Sequence, residues 1–122
     1  MPPSSQAERI VQHFLTAQKT GSLDDLLALL TEDATLYGDG GGRVPSIGRP
    51  LYGADPISRF FLGIRRLTPA DLELRITRLN HAIGVLALVD RQVIQAMSFE
   101  FDGDRIRAIY IVRNPEKLKH LN

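Results

Sequence analysis

LELRITRLNHAIGVLALVDRQVIQAMSFEFDGDRIRAIYIVR, residues Leu72–Arg113, decides the fold. Leu72, Leu74 and Ile76 alternate with Glu73, Arg75 and Thr77, the period of a strand with one buried face. Ile83 to Val89 is apolar on both parities and reads as a central strand. Asp90-Arg91 is a tight turn without glycine, and Gln92 to Phe101 is a long strand. Asp102-Gly103 is a hairpin signal, and Arg105 to Arg113 returns. Asn114-Pro115 ends the run, and Glu116 to Leu121 has room for one last helical turn.

Upstream the period changes. From Gln6 to Lys19, Ala7, Ile10, Val11, Phe14, Leu15 and Ala17 make a helical apolar stripe, with His13 at its edge. Gly21 suits a left-handed helix end. Ser22 caps a second short helix that carries Leu23, Leu26, Leu27, Leu29 and Leu30. Ala34 to Gly38 reads as a short strand, Asp39-Gly40-Gly41-Gly42 as a break, and Arg43 to Leu51 as an edge or bulged segment because it holds Pro45, Gly48 and Pro50. A third helix is expected from about Asp55 to Arg66, with Pro56 in its first turn and Ile57, Phe60, Phe61 and Ile64 facing inward.

This order gives an α+β domain: three helices packed on one face of a curved, mostly antiparallel sheet, with a conical cavity between them. That order resembles the nuclear transport factor 2-like (NTF2-like) architecture. The 122 residues, 43% of them hydrophobic, make one domain, expected over 6–121 behind a flexible lead-in of residues 1–5. Lys+Arg number 15 and Asp+Glu 14, so no nucleic-acid footprint is expected. Arg59, Arg65, Arg66, Arg75 and Arg78 read as a solvated surface interrupted by Asp71 and Glu73. Cysteine is absent, which excludes a disulfide framework and thiolate chemistry. The three histidines, at 13, 81 and 120, lack metal-binding spacing, and neither cofactor nor metal is expected. No apolar run is long enough to span a membrane, and the expected location is the cytoplasm.

Four ordered motifs carry a resemblance: Asp39-Gly40-Gly41-Gly42-Arg43, Arg49-Pro50-Leu51-Tyr52-Gly53, Arg59-Phe60-Phe61-Leu62-Gly63 and Asn114-Pro115-Glu116-Lys117-Leu118. Together they resemble the SnoaL-like C-terminal domain of a group of extracytoplasmic-function (ECF) sigma factors. In that family the glycine run is DGGG followed by a basic residue, and the tail is NP[DE]KL. The resemblance covers about residues 6–121. It implies a cone-shaped regulatory domain that tunes a sigma factor by contact with its DNA-binding regions through the glycine and terminal motifs. This sequence holds neither the sigma regions nor the linker that joins them, and it has Asn80-His81 where the family has Asn-Gly.

Candidate partner- or ligand-binding residues are therefore Tyr37, Asp39, Gly40, Gly41, Gly42, Arg43, Asn80, Asn114, Pro115, Lys117 and Leu118. The glycines allow close backbone approach and an anion nest. Pro115 fixes the exit from the last strand, and Leu118 can pack back as a clamp or a lid. An alternative is a small cyclase, isomerase or hydrolase acting on an apolar molecule, with Asp39, His81 and Tyr110 as its acid–base residues. Asp39 is the carboxylate expected to view the cavity. Glu73 and Glu100 read as solvated, and Tyr110 as sharing a face with Ile106, Ala108 and Val112. Both parities of the last two strands carry apolar residues, so the outer sheet face is expected to be an interface. It would serve a homodimer, as in a structural dimerisation module, or the sigma regions of a fused relative.

Overall fold

The structure is a computed structural model that describes residues 4–39, 49–79 and 82–121. Helix α1 (Ser4–Thr20) and helix α2 (Leu23–Leu29) form a hairpin. Gly21 turns it at φ 79°, and the Ser22 hydroxyl accepts from the Asp25 amide at 3.2 Å. Strand β1 (Leu30–Asp39) follows directly, then the short β2 (Leu51–Tyr52) and α3 (Ala54–Gly63). Strands β3 (Glu73–Leu79), β4 (Ala82–Val89), β5 (Gln92–Asp102) and β6 (Arg105–Val112) complete the sheet, and α4 (Pro115–Leu118) then runs into a 3-10 turn over Lys119–Leu121. The first helix starts two residues earlier than its apolar stripe implies. The third tightens into a 3-10 turn over Ile64–Leu67, where its inward stripe runs out.

The sheet order is β2-β1-β6-β5-β4-β3. Strand β1 pairs parallel with β6, and every other neighbour is antiparallel. Asp90 and Arg91 both have positive φ, 52° and 67°, as a two-residue turn matched to sheet twist requires. The next turn is centred on Gly103-Asp104, one residue later than the sequence signal, with Asp102 paired to Arg105.

Register shifts bend the sheet. One lies between Ala87 and Leu88 and leaves Ile94 as the extra residue; another lies between Glu100 and Phe101 and leaves Arg107 extra. An extra residue on one strand raises the local twist and exchanges the faces beyond it. Ile106 therefore joins the inner core with Ile109 and Ile111, whereas Ala108, Tyr110 and Val112 point outward. The expected shared face of Ile106 and Tyr110 is corrected by that bulge.

On the inner face α1, α2 and α3 bury a core centred on three rings. Phe14 meets Phe61 edge-on at 5.0 Å and Phe99 at 5.8 Å. On the outer face Leu88, Val93 and Ala96 form a second cluster with Leu118, and Leu79, Leu86, Val112 and Leu121 pack beside it. Leu118 thus packs back as a clamp, and the C-terminal turn covers part of the outer apolar face that the parity of the last two strands alone would leave to another chain.

Candidate functional site

Each residue of the terminal motif has a local task. The Asn114 side chain accepts from the Glu116 amide at 3.1 Å, capping α4. Pro115 occupies the first turn, where no amide hydrogen is needed. Leu118 is buried in the outer cluster. Lys117 reaches back across 78 positions to hydrogen-bond and ion-pair with the Asp39 carboxylate.

The backbone strengthens that junction. The Arg113 amide donates to the Asp39 carbonyl at 2.7 Å, extending the β1–β6 pairing. The first residue of the glycine run and the terminal motif therefore form one corner of the outer face. Gly40, Gly41, Gly42 and Arg43, and likewise Asn80 and His81, lie outside the described residues. The Lys117 side chain is 62% exposed, so the ion pair contributes at most about 1 kcal/mol to folding.

Beside this corner lies an aromatic belt. Tyr52 pairs with Thr35 across the β1–β2 ladder, and Tyr37 pairs with Tyr110 across β1–β6. Thr35 and Tyr37 share a face two residues apart. All three tyrosines of the chain thus project outward. The Tyr37 and Tyr110 rings stack at 5.1 Å and 11°. The Tyr110 hydroxyl donates to Glu100 at 2.6 Å, and Arg107 ion-pairs with the same carboxylate at 3.2 Å. Glu100 is thus half-buried and engaged, not freely solvated as its alternation suggested. Its hydrogen bond raises the Tyr110 pKa above the ordinary value, with burial and the Glu100 charge adding to the shift. The protonated phenol is the form the fold favours. That contribution is complete below about pH 10 and lost as pH rises through the raised pKa.

The opposite face holds a cavity of about 1040 Å³ between the sheet and α1 and α3. Phe60, Phe61, Val85, Met97 and Ile111 form its apolar wall, and Lys19, Arg65 and Arg113 are among its polar lining. Among the described residues no carboxylate, histidine or tyrosine lines it. Strand alternation explains the difference from expectation. Leu36 and Gly38 face inward, so Asp39 faces outward, and Tyr110 is outward on β6. Asp39 and Tyr110 are therefore not brought together in the cavity. The cavity-facing cations were missed in the sequence because Lys19 and Arg65 lie 46 positions apart and meet only through the fold. Among the described residues no group of three His, Asp or Glu is placed to hold a metal. No helix among them is long and apolar enough to cross a membrane.

No protein-family model matches the chain. In sequence it is 34% identical over 62 residues to the ECF RNA polymerase sigma factor SigJ of Mycobacterium tuberculosis, covering 51% of this chain and 20% of that protein. The crystal structure of SigJ superposes with a TM-score of 0.74 at 25% identity, over 93% of this chain and 44% of SigJ. The chain thus spans less than half of that relative. A SnoaL-like protein of unknown function from Burkholderia thailandensis superposes with a TM-score of 0.64 at 13% identity, over 91% of this chain and 97% of that one. An NTF2-like protein from Cytophaga hutchinsonii gives 0.63 at 11% identity, over 93% and 94%. The chain has the NTF2-like, SnoaL-like fold and resembles, over nearly its whole described length, part of an ECF sigma factor.

Proposed function

We propose that this chain is a regulatory domain that docks on sigma-factor regions through its outer sheet face and thereby tunes transcription in the cytoplasm. The observation that carries the reading is the junction of Asp39 with Lys117 and Arg113, which joins the two motifs of the resemblance at one corner. The tyrosine belt next to it supplies contact area that α4 leaves uncovered. Tyr52 is 65% exposed and Tyr110 37%. Stiff amphipathic rings are well suited to protein contacts, because they bury much area for few frozen torsions. A second copy of the chain would compete for the same belt. The similarity to SigJ favours sigma regions as the occupant.

The test uses SigJ with this chain in place of its matching segment and a reporter gene under a SigJ-dependent promoter. Asp39→Lys inverts the charge of the corner at little cost to the fold. The expected result is at least a threefold change in reporter output, with a melting temperature within a few degrees of the parent. Unchanged output from a folded, equally abundant variant contradicts the reading.

A further inference from the structure

We propose that the cavity binds an anionic amphiphile, a long-chain carboxylate, with its chain against the aromatic wall and its head at the basic rim. This site lies on the sheet face opposite the docking corner and stands independently of the sigma-factor reading. Three observations carry it. The first is size. About 1040 Å³ is slightly above the roughly 300–1,000 Å³ typical of small-molecule pockets and leaves room for an extended apolar body.

The second is charge segregation. The chain has 15 Lys+Arg against 14 Asp+Glu, so an average surface would mix the two signs. The described lining instead has Lys19, Arg65 and Arg113 and no acid. A neutral apolar guest gains nothing from such a rim, whereas a carboxylate gains a charge-assisted hydrogen bond.

The third is preorganisation. The Arg65 guanidinium donates to the Lys19 carbonyl at 2.8 Å, at the C-terminal end of α1. That bond uses one nitrogen of a planar fork with five N–H donors and fixes the fork at the cavity. Gly21 makes the placement feasible, because a Cβ there would come within 2.6 Å of the Arg65 guanidinium. Gln18 and Gln95 add neutral polar groups to the same lining.

The experiment is calorimetric titration of the purified chain with dodecanoate, below its micelle concentration, and with 1-dodecanol as the neutral probe of equal length. Dodecanoate is expected to bind with one-to-one stoichiometry and at least tenfold more tightly than dodecanol. Arg65→Gln and Lys19→Gln, each checked for a native circular dichroism spectrum, are expected to weaken dodecanoate at least fivefold and leave dodecanol unchanged. Arg105→Gln, an exposed cation remote from the cavity lining, is the control for general charge loss. Equal affinity for the two probes, loss in the Arg105 variant equal to that in the rim variants, or no saturable binding overturns the proposal.

Discussion

Replacing Phe14 by alanine is expected to cost about 3–5 kcal/mol of folding stability. The ring is fully buried, and it joins α1 to both α3 and the sheet through Phe61 and Phe99. Those partners belong to different layers, so neither can collapse into the space without dragging a secondary-structure element with it. A domain of this size holds only about 5–15 kcal/mol in total. The loss should therefore lower the melting temperature by roughly 10–20 °C, with the urea m-value unchanged. Thr16→Ala, an exposed change on the same helix, should stay within about 0.5 kcal/mol. A Phe14→Ala loss below about 1 kcal/mol would mean that the three-ring cluster does not hold the layers together.

Gly84→Val is the second large effect, and it separates sterics from propensity. Valine is among the residues most favoured in strands, so propensity alone predicts a gain of up to about 1 kcal/mol. The surroundings predict the reverse. A Cβ at position 84 would lie 2.5 Å from Leu79 Cδ1 and 2.7 Å from the Met97 carbonyl oxygen. The leucine can rotate, but the carbonyl belongs to β5 directly across the ladder, where Gly84 pairs with Ser98. Relief requires parting β4 from β5. Valine should therefore destabilise by about 3 kcal/mol, at the upper end of overpacking costs. Denaturant titration reads the sign directly, and a stabilised variant contradicts the packing described for the outer face.

The fold was legible where local periodicity is the cause. The alternation of Leu72, Leu74 and Ile76, the stripe through Phe14 and the turn residues at Asp90 and Gly103 act over a few positions. The SnoaL-like reading followed from that order and from four short motifs, and the structural likeness to SigJ agrees with it. What failed to show was set by register. The extra Arg107 turns Ile106 inward, and nothing in the sequence around it marks a bulge. Glu100 looked solvated because its alternation is visible and its partners, Arg107 and Tyr110, are on another strand. Leu118 was legible as a residue that packs back, but the face it covers, together with Leu121, depends on where the tail folds. Asp39 was expected at the cavity on proximity to the glycines, whereas strand parity aims it at Lys117.

The proposed docking face and the cavity lie on opposite sides of one sheet, so a single probe can tell contact from mere proximity. A photoreactive benzoylphenylalanine at Tyr110, in SigJ carrying this chain in place of its matching segment, tests the central claim most directly. The predicted result is a cross-link, identified by peptide mass, to the sigma regions outside this domain. The same probe at exposed Thr68, in the cavity lining, should give none. Cross-links from Thr68 but not from Tyr110, or none beyond the domain from either position, would contradict docking through the outer face.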